Sequence, residues 1–480
     1  MGFKDLRSFL SKLEEEGQLV RYSEPIALSP DWSDITRALP RMGQYGPAIL
    51  ADNLEGYKGK KIVAGVHASL ANCALMFGHS KHTSLQDQIN SLGKRWVAAG
   101  DASSAKLVWV ENPPCQEVII EGDDVNLYEL LPLHRLNPSD GGFYLPKTCV
   151  VTKDMYSPDD IDSENVGTYR CQIHGPNTIG INISNMHDAG EHIAQAEALG
   201  VPMPIAICLG NDPMLDFMAS TPLKSDESEY KYAAALGDFT YELTKATLSN
   251  LDVPANAEFV IEGEILPFER FPEGPFGEFP GTYSGVGKTC RIHVKRVTHR
   301  KDPIYSTIYI GGRSETESDM LLALNTCSLL YNQLRVDFPQ VRAVNAMYQH
   351  GMTTIVSAKP RSPGHAKTIA LRVACTPHGT DYCRNIIMVD AEVDPFNLTE
   401  VMWALSTRVR CEEDVFFIPS TPGLPLIPAD VRPPLGRKLV IDATTPIPPD
   451  EFRPSKVVEP YQKSTDWRDT IAKIQQQLQK

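Results

Sequence analysis

The densest chemical element of the chain is Glu273-Gly-Pro-Phe-Gly-Glu278. Gly274, Pro275 and Gly277 preclude a regular helix, so the two carboxylates flank a tight loop and can converge on one point. Two close carboxylates in different surroundings can divide their roles, one ionised and one carrying a proton. A second element is Asn165-Val-Gly-Thr168-Tyr169-Arg170, where a guanidinium can match a carboxylate or phosphate bidentately. His187 stands just before a predicted helix, and Glu229 lies in another. Amide oxygen, imidazole and carboxylate together suit a borderline-hard divalent ion such as Mn2+ better than a thiolate-loving one. Each of these has a plainer reading in isolation: a solvated turn, a surface arginine, a structural histidine, a helix-face acid. Spacing alone does not bring Asn165, His187 and Glu229 together.

Other motifs fail on inspection. Gly285-Val-Gly-Lys-Thr289 resembles the end of a phosphate-binding loop, but Thr282 stands where that loop needs glycine, and an alternating strand follows instead of a helix. No G-x-G-x-x-G runs from a strand into a helix, so a dinucleotide fold lacks support. His187 and His192 miss the i, i+4 spacing of a zincin helix.

The elements that must position these groups fall into three stretches. Residues 1–112 read as an N-terminal α/β unit opened by a helix with Phe3, Leu6, Phe9, Leu10 and Leu13 on one face. Residues 113–317 are β-rich, with strands predicted at 258–266, 291–298 and 304–310 and helices at 191–199 and 227–236. A helix over 318–336, within a linking segment 318–339, leaves this unit. Residues 340–455 alternate strand and helix, with a buried strand at 385–389 and a helix at 398–408 opened by Asn397 with Glu400 three residues on. A polar, helix-compatible tail spans 456–480. With 480 residues, 42% apolar and a net charge of −14, the chain reads as a multidomain globular α/β protein rather than a disordered one. The acidic balance argues against nucleic acid as a partner. No C-x-x-C pair occurs among the ten cysteines, which reads as buried, reduced thiols in a cytoplasmic protein. No apolar run is long enough for a membrane span, and no secretory signal opens the chain.

Taken together, Asn165–Arg170, His187 with the run Pro204–Gly210, Glu229, Glu273–Glu278 and Val389–Asn397 resemble the UbiD family of decarboxylases, which use prenylated FMN. The likeness runs over nearly the whole chain and is strongest to the large C subunits of non-oxidative hydroxyarylic acid decarboxylases, through Glu273–Pro280, Asn345–Tyr348 and Asp394–Leu405. The resemblance implies a central split β-barrel that binds flavin, flanked by N- and C-terminal α/β domains. It implies a Glu–Arg–Glu network of Glu273, Arg170 and Glu278, with Glu278 donating the proton that replaces the lost carboxylate. Asn165, His187 and Glu229 match ligands of a divalent ion, Mn2+ or else Mg2+, bridging to the cofactor phosphate, with K+ as a further ion. Thr168, Tyr169, Met186 and Arg384 would border the flavin. The family also implies an aromatic carboxylate and CO2 as reactants, reversibility, a homo-oligomer (dimer or hexamer), a flavin prenyltransferase as cofactor supplier, and small accessory subunits. Three positions depart from the family pattern: Met186 in place of Gln, Arg384 in place of Lys, and Gly311-Gly-Arg313 in place of a Pro-Trp pair. Arg313 opens a second substrate reading, an aromatic dicarboxylate or an aryl-CoA such as phthaloyl-CoA. A flavin-holding assembly subunit without activity of its own is the reading from another class.

Overall fold

Helix α1 (Leu6–Glu15) forms where Asp5 caps it by accepting from the Ser8 amide at 2.8 Å, and it buries Leu6, Phe9, Leu10 and Leu13. In the computed structural model the residues described are 2–157, 159–184, 187–313, 316–424, 426–429, 435–448 and 467–478. Strands β1 (Leu19–Tyr22), β2 (Ala48–Ala51) and β3 (Lys61–Ala64) build a first sheet beside α1.

The middle of the chain forms a larger sheet. Its strands are β4 (Val118–Glu121), β5 (Phe143–Leu145), β6 (Cys149–Lys153), β7 (Glu164–Gly167), β8 (Cys171–Gly175), β9 (Thr178–Ile181), β10 (Met203–Leu209), β11 (Phe259–Ile265), β12 (Phe271–Glu273) and β13 (Gly287–His299). Their order is β5-β8-β9-β13-β11-β10-β6-β7, with β4 and β12 also paired to β13. Strands β7 and β8 stand six places apart, about 29 Å in a flat sheet. Yet only Thr168–Arg170 joins them, a span of at most about 14 Å. The sheet therefore has to curl into a half-barrel, and Arg170 sits in the short connection that closes it. Helices α2 (Asp188–Leu199) and α3 (Glu229–Gly237) flank the curl. Helix α3 starts two residues later than its sequence pattern predicts, because Ser228 is its N-cap and Glu227 closes the preceding turn onto Lys224.

The segment predicted as a strand over 304–310 behaves differently. Only β14 (Ile304–Ser306) is extended, and it pairs in parallel with β3, giving the first sheet its fourth strand. Beyond it Asn137 Nδ2 donates to the Ile310 carbonyl at 3.1 Å, so a side chain replaces a strand partner. Helix α4 (Glu317–Asp337) follows, capped by Thr316 and Asp319. The last sheet comprises β15 (Val341–Tyr348), β16 (Thr353–Ala358), β17 (Asn385–Asp390), β18 (Val415–Pro422) and β19 (Leu435–Ala443) in the order β15-β16-β17-β19-β18. Helices α5 (His365–Ala374) and α6 (Leu398–Arg408) cover it, and α7 (Trp467–Leu478) is the last element described. All ten cysteines are free, with Cys375 and Cys411 exposed, against expectation, and the others buried. Among the described residues no helix is long and apolar enough to cross a membrane.

Two buried polar features fix the junction of these units. Lys147 lies 3.2 Å from Asp216 and 3.8 Å from Glu317, the first residue of α4, whose carboxylate also accepts from the Gly65 and His67 amides at 2.8 Å. Burial opposes the Lys147 charge, but Asp216 and Glu317 outweigh it and hold the ammonium above its ordinary range. Asp212, buried at the start of Pro213–Met218, accepts from Tyr241 at 2.6 Å and from the Leu215 amide at 2.9 Å. Burial still pushes its carboxyl up to about 7 from 3.8. The folded protein then holds a proton there that the unfolded chain releases, so stability falls as pH rises from about 4 to about 7, by roughly 1.4 kcal/mol per unit at most. Asp212→Asn should flatten that slope, read as thermal midpoints across the window; an unchanged slope would mean the carboxylate ionises freely in place.

Candidate active site

Arg170 projects from the closing connection toward the loop after β12. Its Nε and Nη2 donate to the two oxygens of Glu273 at 2.9 and 2.6 Å, and its Nη1 donates to Glu278 Oε1. The Arg170 side chain is 9% exposed, that of Glu273 0% and that of Glu278 10%, so the triad is enclosed, with Glu273 its innermost member. Burial works against the Arg170 charge, yet the Glu273 hydrogen bonds and both carboxylates hold the guanidinium above its ordinary range. Asn182 Nδ2 adds a donor to Glu273 at 3.2 Å.

Local backbone chemistry explains the loop. Gly274 has φ +104°, and a Cβ there would lie 2.4 Å from the Gly285 carbonyl oxygen, so only glycine fits. The Gly277 amide donates to Asp140 Oδ1 at 2.8 Å, while Asp140 Oδ2 accepts from the Asn137 amide at 2.8 Å. The Glu278 amide reaches the Thr282 carbonyl at 3.0 Å, and the Gly281 amide returns to Glu278 at 2.9 Å. Phe276 lies under the guanidinium at 5.5 Å and packs on Tyr144 at 4.4 Å between ring centres. The two carboxylates thus reach one point through the arginine between them.

Asn165, His187 and Glu229 gather around Tyr169. Asn165 lies beside the Tyr169 hydroxyl, and the His187 ring lies 5.7 Å from the tyrosine ring. Glu229 Oε2 accepts from the Val166 amide at 3.1 Å. Asn165 Nδ2 is buried without a hydrogen-bond partner, and burial pushes the Glu229 carboxyl up to about 8. The unmet Nδ2 is a hydrogen-bond donor and calls for an acceptor, so what suits a cation here is the buried Glu229 carboxylate, with the Asn165 amide oxygen as a neutral co-ligand. Among the described residues no group of three or more His, Cys, Asp or Glu side chains is placed to hold a metal, so such a cradle depends on the Asn165 amide. Thr168 is held by its amide to the Ala219 carbonyl at 2.9 Å, and the Tyr169 carbonyl accepts from Thr148 at 2.6 Å. Arg384 sits at the start of β17, its amide on the Met352 carbonyl at 2.8 Å, outside the Arg170 triad. Met186 lies outside the described residues.

Arg313 is exposed, on a loop whose backbone abuts Gly277 and Gly281 on either side of Glu278. Gly311 and Gly312 have φ +97° and +123°, and the Gly281 Cβ position lies 2.4 Å from the Gly312 carbonyl oxygen. Tyr309 donates to Asn137 at 3.1 Å, and the Arg37 guanidinium stands 5.2 Å over the Tyr309 ring. An Arg41 nitrogen lies 3.9 Å from the Gly312 Cβ position. Arg37 and Arg41 thus flank the Tyr309–Arg313 loop, whose backbone abuts the turn that carries Glu278.

Three family profiles cover the chain: the 3-octaprenyl-4-hydroxybenzoate carboxy-lyase N-terminal domain over residues 10–92, the Rift-related domain over 106–313 and the C-terminal domain over 319–443. The chain belongs to the UbiD family. It is 44% identical over 475 residues to a phenolic acid decarboxylase of Sedimentibacter hydroxybenzoicus, covering 98% of each chain. The closed form of vanillic acid decarboxylase from the same organism superposes with a TM-score of 0.88 at 44% identity, covering 100% of both chains. The UbiD-class enzyme HmfF of Pelotomaculum thermopropionicum, solved with FMN, matches at TM-score 0.82 and 26% identity over 97% of this chain and 99% of that one. An evolved dimeric form of it, solved with prFMN, matches at 0.80 and 25% over 98% and 100%. This UbiD protein is a carboxy-lyase, a multidomain α/β chain with a curled half-barrel sheet.

Sequence reasoning missed several residues that shape the UbiD site. Asp140 and Asn137 anchor the loop, Asn182 supports Glu273, and Tyr309 with Arg37 and Arg41 packs about the neighbouring Gly311–Gly312 turn. Asp140-Gly-Gly142 carried a turn signal but none of chemistry.

Proposed function

We propose that this protein is a reversible, non-oxidative decarboxylase of an aromatic carboxylic acid of hydroxybenzoate type, dependent on prenylated FMN. The observation that carries the reading is the buried Arg170 fork held between Glu273 and Glu278. Arg170 binds and orients the anionic end of the substrate, and Glu273, itself donated to by Asn182, fixes the guanidinium plane. Glu278, when protonated, supplies the proton to the ring carbon that has lost CO2, and the reverse direction returns it. Such a general acid contributes about 10²–10⁴-fold. Prenylated FMN, held by Thr168, Tyr169, Met186 and Arg384, would supply the electron sink that no side chain offers. Asn165, His187 and Glu229 would hold a divalent ion, Mn2+ before Mg2+, at its phosphate. CO2 release from 4-hydroxybenzoate or vanillate by anaerobic holoprotein tests the reading. Flavin binding with no CO2 from any aromatic acid would leave only a cofactor-holding subunit.

A second substrate reading has a specific observation in its favour. In a chain of net charge −14, Arg37 and Arg41 flank the loop that bears Arg313, and that loop abuts the turn carrying Glu278. Those arginines suit a second acidic group on the substrate, as on an aromatic dicarboxylate or an aryl-CoA. Arg313→Ala should raise KM for a doubly acidic substrate about 10-fold, the weight of one charge-assisted hydrogen bond, and leave KM for a simple hydroxybenzoate unchanged. Equal effects on both would remove Arg313 from substrate recognition.

A further inference from the structure

The C-terminal unit reaches the Glu278 loop through His350 and Tyr382. The turn after β15, Gln349–Gly351, places His350 in the left-handed region at φ +55°, ψ +29°, uncommon for a side chain other than glycine. Its amide is pinned there by Asp319 Oδ1 at 3.0 Å, in the first turn of α4. Its Nε2 pairs with Ser318 Oγ at 3.1 Å and lies 3.9 Å from Asp319 Oδ1. The imidazole packs on Phe279 with ring centres 4.1 Å apart at 49°, and its side chain is only 11% exposed. Phe279 is the residue after Glu278 and touches Tyr382 at 6.3 Å, while Tyr382 stacks on His378 at 5.7 Å and 14°. The charged and titratable groups around the imidazole are Asp319 from α4, Glu278 from the loop, and His378 and Tyr382 from the C-terminal unit. Burial keeps both histidines below their ordinary range, hence neutral.

We propose that His350 is a positioning residue for Glu278: clamped by Ser318 and Asp319, its ring presses on Phe279 and holds the Glu278–Thr282 turn so that the carboxyl stays against Arg170. This rests on the role assigned above to Glu278. The clamp is rigid at its far end as well. Residue 317, next to Ser318, is the buried glutamate paired with Lys147, and Lys147 adjoins Thr148, which binds the Tyr169 carbonyl beside Arg170. The first turn of α4 is thus tied both to the loop bearing Glu278 and to the connection bearing Arg170. A displaced proton donor lowers kcat without weakening substrate binding, because Arg170 still holds the carboxylate.

His350→Asn tests this, since asparagine tolerates the left-handed backbone and keeps a polar side chain but has no ring to cover Phe279. Phe279→Leu removes the other ring. The expected result for each is a loss of kcat of up to about 100-fold with KM unchanged. The double variant should be no worse than the poorer single one, because both remove one contact. Hydrogen exchange of the full chain without cofactor is read in parallel: the Glu278 and Gly281 amides should exchange faster in His350→Asn while the β13 amides do not. Unchanged exchange in that turn, kcat losses that multiply in the double variant, or exchange faster throughout the sheet would each overturn the proposal. The exchange readout is independent of turnover, so a failure of the Glu278 role, visible as an active Glu278→Gln, is told apart from a failure of the clamp.

Discussion

Glu278→Gln is expected to lower CO2 release from the holoprotein about 10²–10⁴-fold, with flavin binding retained. Glutamine has the shape of glutamate and keeps an oxygen to accept from Arg170 Nη1, so the guanidinium remains clamped on Glu273 at 2.9 and 2.6 Å. What it lacks is a proton to give. Because Glu278 is the more exposed of the two carboxylates, its substitution leaves the interior pair intact, and the thermal midpoint should barely move. The measurement is anaerobic CO2 release alongside the flavin absorbance of the same sample. Full turnover in this variant would take Glu278 out of the reaction and leave Glu273 as the acid to examine. Carboxylation under high CO2 should fall by the same factor, since one group serves both directions.

Some of this was legible in the chain and some was not, for physical reasons. Helix α6 was readable because its start is local: Asn397 accepts from the Thr399 amide at 3.1 Å and donates to Glu400 at 2.9 Å. Helix α4 was readable because its apolar spacing repeats over five turns. The flanking of a tight loop by Glu273 and Glu278 followed from the glycines between them, and the structure shows why Gly274 has to be one. That the two carboxylates share Arg170 did not follow from spacing. It depends on the curl of the half-barrel, which is set by the order of strands distant in sequence. Likewise Ile304–Ser306 carries the β-branched and aromatic composition of a strand in either sheet, and only the parallel register with β3 decides between them. Asp140, Asn137 and His350 act on the site through a few long-range contacts each, which leave no periodic trace. The resemblance to a family supplied the grouping of Asn165, His187 and Glu229 that spacing left open.

Arg170→Ala is expected to abolish turnover and also to destabilise the fold by about 3–5 kcal/mol, the usual result of removing one partner from a buried ion cluster. The triad explains both effects. Glu273 is fully enclosed and takes two hydrogen bonds from the guanidinium, both lost with Arg170, while the Asn182 donor remains. Two carboxylates would then face each other in a low-dielectric pocket without a counter-charge. Arg170→Lys should recover part of the stability but little of the activity, because a single ammonium cannot fork across Glu273 and reach Glu278 at once. Adding Glu273→Gln to Arg170→Ala removes one of the stranded charges, so the double variant should unfold at higher denaturant than Arg170→Ala alone while remaining inactive. Denaturant unfolding and CO2 release on the same four proteins, wild type included, separate the structural from the chemical role. If Arg170→Ala unfolds like the wild type, water already serves both carboxylates and the pocket is open rather than closed around the triad. If the double variant is active, the substrate carboxylate is held elsewhere, and Arg37 and Arg41, which flank the Tyr309–Arg313 loop, are the next side chains to substitute.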